Sequence, residues 1–185
     1  YQSDIIQLAQ HLSSLGFGTK ICSDCFEEDK VFVPTPGWKY SMMNAGWVTG
    51  DTVNLGIGQG YLVTTPMQLA NYASILANKG KAIEPSLVVA GNQKKPFRTW
   101  KNEGFANLDW EKMHEALTGV IESDFGTARS IRSLKTFQVA GKSGTAELVS
   151  LDSKEAYQEV RNSELLRDHS IIIAFGPMPN PKYAV

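Results

Sequence analysis

The stretch that decides the fold is Phe137-Gln138-Val139-Ala140-Gly141-Lys142-Ser143-Gly144-Thr145-Ala146-Glu147-Leu148-Val149, followed downstream by Ser170-Ile171-Ile172-Ile173-Ala174-Phe175-Gly176. The first reads as a strand over 137–149 with two interior glycines, which weaken a strand unless something must approach its backbone closely. The second is a strongly β-branched strand over 170–176, closed by the turn Pro177-Met178-Pro179-Asn180-Pro181, and 182–185 starts another. Between them 153–168 is charged and reads as a surface helix or a long hairpin connection.

Upstream the period changes from two to 3.6. Ile5, Leu8, Ala9, Leu12 and Leu15 predict a helix over 3–15, stopped at Gly16. Thr65-Pro66-Met67-Gln68 is a capping box with proline at the first helical position, and Gly80 closes the helix it opens, with Leu69, Tyr72, Ala73, Leu76 and Ala77 as its buried face. Met113, Leu117, Val120 and Ile121 predict a helix over 109–123, and 127–134 suggests another. A short strand is expected at 86–90 and a polar loop through Gln93-Lys94-Lys95-Pro96. From Lys20 to Gly60 the chain is dense in Pro, Gly and Trp without a sustained period; a long irregular stretch of this kind usually carries function. Helices come in a block before strands, so the fold class is α+β with an antiparallel sheet.

Composition narrows the function classes. The 185 residues are 42% hydrophobic and 20% charged, an ordinary globular balance, and a chain of this length buries roughly 70% of its unfolded surface. With 18 basic and 19 acidic residues the net charge is −1, which gives no electrostatic footprint for nucleic acid or an anionic membrane. No run of 18 apolar residues occurs, and Tyr1-Gln2-Ser3-Asp4 lacks the regions of a signal peptide. The chain opens without Met in a helical pattern and stops in strand-like Tyr183-Ala184-Val185, so it reads as a piece of a longer protein. Cys22 and Cys25 form a lone CxxC that reads as loop thiols or a local disulfide outside the cytosol. A structural zinc needs two further ligands, and His11, His114 and His169 have no partnered spacing, so neither metal nor cofactor is expected.

Lys142-Ser143-Gly144-Thr145 places one cation and two hydroxyls, two positions apart on one strand face, around a glycine. This grouping suits a carboxylate: Lys142 neutralises the anion, Ser143 and Thr145 donate to its oxygens, and Gly144 lets a ligand lie against the strand edge. A backbone N–H of the same edge is placed to face a developing oxyanion.

The segment Val139–Glu147 resembles the K-T/S-G box of penicillin-recognising serine enzymes, whose other signatures are S-x-x-K and S-x-N. Pro36-Gly37-Trp38-Lys39, Gly50-Asp51-Thr52-Val53-Asn54, Ile57-Gly58-Gln59-Gly60-Tyr61, Thr65-Pro66-Met67-Gln68-Leu69-Ala70, Gly126-Thr127-Ala128 and the stretch from His169 onward extend the resemblance to class B penicillin-binding proteins of the elongation type, in family order, over nearly the whole chain. The resemblance implies the β-lactamase/transpeptidase-like fold, with 1–185 as the C-terminal part of a single transpeptidase domain and with the sheet incomplete. It implies a peptidoglycan D,D-transpeptidase that crosslinks stem peptides ending in D-Ala-D-Ala and is acylated by β-lactams, working with cell-wall elongation proteins. It also implies a place on the outer, periplasmic face of the bacterial cytoplasmic membrane, held by an N-terminal helix outside this chain.

By the same resemblance Lys142 is the box lysine with a catalytic role, Ser143, Gly144 and Thr145 bind substrate, and the Thr145 N–H is half of an oxyanion hole. Gly58-Gln59-Gly60, Trp47 and Tyr61 are implied to pack and anchor loops around the cleft, and Thr127 and Arg129 read as a solvated helix face, with a place near the cleft as the alternative. Neither S-x-x-K nor S-x-N occurs in the 185 residues, so the nucleophile is expected upstream and residues 1–185 alone are expected to be inactive. The alternative reading is a non-catalytic transpeptidase-like binding module or a β-lactam sensor. The parent sequence immediately upstream discriminates between them.

Overall fold

The computed structural model describes residues 2–22, 24–25, 31–88, 108–134, 136–146 and 168–185. Among the described residues five helices come first: α1 (Gln2–Ser14), α2 (Pro36–Met43), α3 (Thr49–Gly56), α4 (Pro66–Ala77) and α5 (Trp110–Glu122). A 3-10 turn at Arg129–Leu134 leads into β1 (Ala140–Ala146), β2 (His169–Gly176) and β3 (Tyr183–Ala184). The strands form an antiparallel sheet in the order β1-β2-β3, which makes the class α+β as expected.

Helix α4 organises the packing. Thr65 Oγ1 accepts from the Gln68 N–H at 3.2 Å and Gln68 Oε1 accepts from the Thr65 N–H at 3.3 Å, so the capping box forms as the sequence requires. Ile75 packs with Leu15, Phe17 and Ala82 on one side, while Leu76 packs with Ala140 and Phe175 of the sheet on the other. The buried face is broader than the expected stripe. Leu69, Tyr72 and Ala77 are only half-buried, whereas Gln68 and Asn71 are buried, their amides donating to the Thr19 and Leu15 carbonyls. Those two amides satisfy the backbone where the chain leaves α1, which explains polar residues on a core face.

The expectation of an irregular stretch over 20–60 is corrected by α2 and α3, each eight residues long. Two turns are too short for a hydrophobic period to show, and their starts rest on local chemistry instead. Thr35 Oγ1 accepts from the Trp38 N–H with Pro36 just inside α2, and Asp51 Oδ2 accepts from the Val48 N–H at the head of α3. The strand expected at 86–90 is absent over 86–88, and 89–90 lie outside the described residues. There Asp24 Oδ1 accepts from the Leu87 N–H, and Oδ2 from the Val88 N–H and the Ser86 hydroxyl, so a side chain satisfies donors that a strand partner would have taken. Asp24 sits in the loop closed by a Cys22–Cys25 disulfide. The region expected as a helix over 127–134 is a 3-10 turn over 129–134, and the strand expected over 137–149 runs over 140–146, its 147–149 end lying outside the described residues. The 93–96 loop and residues 153–167 also lie outside them.

Candidate functional site

The register of the sheet decides which groups of β1 are offered outward. Ala174 exchanges two hydrogen bonds of 2.8 Å with Val185, so its backbone faces the β3 side. Alternation along an antiparallel strand then turns Phe175, Ile173 and Ile171 toward β1, where they oppose Ala140, Lys142 and Gly144. Ser143 and Thr145 therefore direct their N–H and C=O groups away from β2. Among the described residues no strand pairs with that edge.

What meets the edge comes from elsewhere in the chain. Lys142 is exposed and its Nζ donates to the Ser143 carbonyl at 2.7 Å. The Thr145 carbonyl accepts the Gln59 amide at 3.0 Å across 86 residues of sequence. Thr127 Oγ1 lies 2.8 Å from Ser143 Oγ. The two glycines of β1 differ. A Cβ on Gly141 would stand 2.6 Å from the Ile173 carbonyl oxygen, so the close strand pairing demands glycine there, whereas a Cβ on Gly144 would meet nothing nearer than 4.0 Å among the described residues. Packing among the described residues does not account for the second glycine.

Gln59 is presented by a firm platform. Its N–H donates to the Asn54 carbonyl at 2.9 Å, and Gly58 (φ 77°) and Gly60 (φ 78°) on either side adopt the left-handed conformation that favours glycine. Helix α3 is tied to α2 by the Lys39–Asp51 ion pair at 2.6 Å, which is nearly closed to solvent, and the paired carboxylate holds the Lys39 ammonium above its ordinary pKa. Lys39 also lies over the Tyr61 ring at 5.5 Å. Trp38 sits between Phe32 and Tyr61, and Trp47 Nε1 donates to Thr52 Oγ1. Trp47 and Tyr61 are loop anchors, in line with their expected role.

The structure thus brings Lys142, Ser143, Gly144 and Thr145 onto one accessible strand edge with two hydroxyls, one ammonium and outward backbone groups, a donor set matched to an anionic, peptide-like ligand. Thr127 combines its two expected readings: its side chain is exposed, and its hydroxyl lies against the box serine. Gly126 was the available signal. It packs under the C-terminus of α5, where a Cβ would press into the Val120 carbonyl, so the turn docks against the helix and delivers the next residue to β1.

Residues 5–185 match the penicillin binding protein transpeptidase domain family. The proteins named peptidoglycan D,D-transpeptidase MrdA from Acinetobacter baumannii and Haemophilus influenzae are 37% and 34% identical over 191 aligned residues, covering 100% of this chain but only 28% and 29% of those proteins. The crystal structure of Pseudomonas aeruginosa PBP2 in complex with WCK 5153 superposes with a TM-score of 0.78 at 34% identity, over 97% of this chain and 36% of that one. The PBP2 of a Helicobacter pylori PBP2–MreC complex does so with 0.79 at 29% identity, over 97% and 31%. The chain spans less than a third of the length of these two curated relatives. With a match running from the first helix through the last strand, the chain belongs to the penicillin-binding protein transpeptidase domain family.

Proposed function

We propose that the protein to which these residues belong is a serine-type D,D-transpeptidase of peptidoglycan synthesis, and that residues 1–185, the C-terminal part of one transpeptidase domain, supply its ligand-binding strand. A serine from outside these residues attacks the penultimate D-Ala carbonyl, D-Ala leaves, and an amine of a neighbouring stem peptide resolves the acyl-enzyme. β-Lactams acylate the same serine. The observation that carries this reading is the open edge of β1: an exposed Lys142, the Ser143 and Thr145 hydroxyls, and outward-facing Ser143 and Thr145 backbone groups beside a glycine that packing does not require.

The roles follow from the chemistry of each group. Lys142 is the cation for the terminal carboxylate and acts on the reacting groups, Ser143 and Thr145 donate to that carboxylate, and Gly144 lets the peptide approach. The outward Thr145 N–H stabilises the oxyanion as the carbonyl becomes tetrahedral. The resemblance to PBP2, and the PBP2–MreC complex of the H. pylori relative, support cell-wall elongation proteins as partners and a periplasmic site of action, with the membrane anchor carried by an N-terminal helix outside this chain.

The test is covalent labelling of the intact parent with a fluorescent penicillin and mass spectrometry of the labelled peptide. The expected adduct lies on a serine outside residues 1–185. A label on Ser143, or no label at all, contradicts the reading.

A further inference from the structure

Thr127 stands 16 residues before Ser143 on a turn held from several sides. The Ala128 N–H donates to the Val120 carbonyl at 3.0 Å and the Gly126 N–H to the Ser123 carbonyl at 3.0 Å. Arg129 Nη1 donates to the Asp124 carbonyl at 2.7 Å, and Arg132 Nη1 to the Glu122 carbonyl at 2.8 Å and the Asp124 carboxylate at 3.0 Å. A Cβ on Gly126 would also stand 2.7 Å from the Gly119 carbonyl oxygen, so the turn is seated tightly on the end of α5. An exposed threonine has water for a partner. Its contact with Ser143 is therefore imposed by where the turn is docked.

The direction of that hydrogen bond matters. A hydroxyl carries one proton and two lone pairs, while a carboxylate only accepts. If Ser143 spent its proton on Thr127, it would meet a carboxylate with lone pairs alone, a repulsive arrangement. With Thr127 as donor, the Ser143 proton is left for the anion. Resting on the carboxylate-anchor reading above, we propose that Thr127 is a positioning residue that donates to Ser143 Oγ and so commits the Ser143 hydroxyl to donating to the ligand's terminal carboxylate. Accepting one hydrogen bond polarises the Ser143 hydroxyl and makes it a stronger donor, so orientation and strength act together. The β-branched side chain of threonine restricts χ1 and holds its hydroxyl in place.

The experiment uses the intact parent and compares acylation by benzylpenicillin with acylation by its methyl ester, which keeps the lactam and lacks the anion. Thr127→Val removes the hydroxyl at constant shape. It should slow the carboxylate ligand about tenfold, the size of one hydrogen bond strengthened by a charged partner, and the ester by about twofold or less. Thr127→Ser should restore the carboxylate rate, and Thr127→Ala should behave like the valine variant. In a Ser143→Ala background Thr127→Val should add nothing, because the effect passes through Ser143. An equal loss for both ligands, a loss that persists without Ser143, or no loss in either hydroxyl-free variant overturns the proposal and leaves the transpeptidase reading standing. A parent that no β-lactam labels overturns that reading, and this proposal with it.

Discussion

Lys142 is exposed on its strand and its ammonium donates to the neighbouring Ser143 carbonyl, with no acidic partner among the described residues, so the charge is not needed for an ion pair there. In the intact parent Lys142→Ala should slow β-lactam acylation on the order of 30- to 1,000-fold, the loss of about 2 to 4 kcal/mol of transition-state stabilisation, with an unchanged melting temperature. Ser143→Thr keeps the hydroxyl and should be nearly silent. An unchanged acylation rate in Lys142→Ala would remove the carboxylate-anchor role. The two glycines of β1 give a sharper contrast. Gly141→Ala drives a methyl group against the Ile173 carbonyl and Ala174 Cβ and should lower the melting temperature, whereas Gly144→Ala has room and should melt normally while acylating slowly, because a side chain there hinders a peptide backbone from lying close along the strand edge. Calorimetry and acylation rates on both variants read this directly; a Gly144→Ala variant that acylates normally would leave that glycine unexplained. The box Lys142-Ser143-Gly144-Thr145 was legible in the sequence because four adjacent residues carry it. The Thr127 and Gln59 contacts were not, since each joins residues far apart in the chain, and only the docked turn and the α3 platform bring them to β1.

At the scale of elements, the segments fixed by side-chain caps behave differently from those fixed by periodicity. Asp24 gathers the Ser86 hydroxyl and the Leu87 and Val88 amides, and these hydrogen bonds, Ser86 foremost, lower its carboxyl from an ordinary 3.8 to about 2. A carboxyl whose pKa is depressed by folding contributes stability that is complete above its unfolded pKa and is lost as pH falls through the folded value. The Asp24 contribution should therefore be intact above about pH 4 and gone near pH 2. Asp24→Asn turns an amide donor toward those N–H groups, so the variant should melt below the parent at neutral pH, with the gap closing between pH 4 and 2. A gap that stays constant across that window would show that the carboxylate charge is not what ties 22–25 to 86–88. Thr65→Ala, which removes half of the α4 capping box, should cost about 1 kcal/mol in a denaturant titration. Helices α1, α4 and α5 were readable because three or more turns repeat an apolar stripe. Helices α2 and α3 were hidden because two turns do not, and the strand expected at 86–90 does not form over 86–88 because local β propensity says nothing about whether a partner strand takes those backbone donors.

For the whole chain, residues 1–185 expressed alone should take no covalent penicillin label, since they hold neither S-x-x-K nor S-x-N, and they should be poorly soluble. The half-buried Ile171, Ile172 and Ile173 lie in a sheet whose last described strand is two residues long, next to exposed Tyr183 and Val185, an arrangement that invites edge-to-edge association. Sedimentation, near-ultraviolet circular dichroism and penicillin labelling of that polypeptide test this. A soluble monomer with a cooperative melt would show that the sheet needs no further strands, and any label would refute inertness. The sequence by itself determined the α+β class, the capped helix at 66–77, the strand bearing Lys142 and Ser143, and the family, because each is written in contiguous residues through periodicity, capping chemistry or motif spacing. Tertiary structure alone decided which edge of that strand no described strand covers, that packing among the described residues requires Gly141 and not Gly144, and that Thr127 and Gln59 reach the box. Those outcomes depend on the hydrogen-bond parity between strands and on how the α5 and α3 ends dock against β1, and such long-range geometry leaves no local trace in the chain.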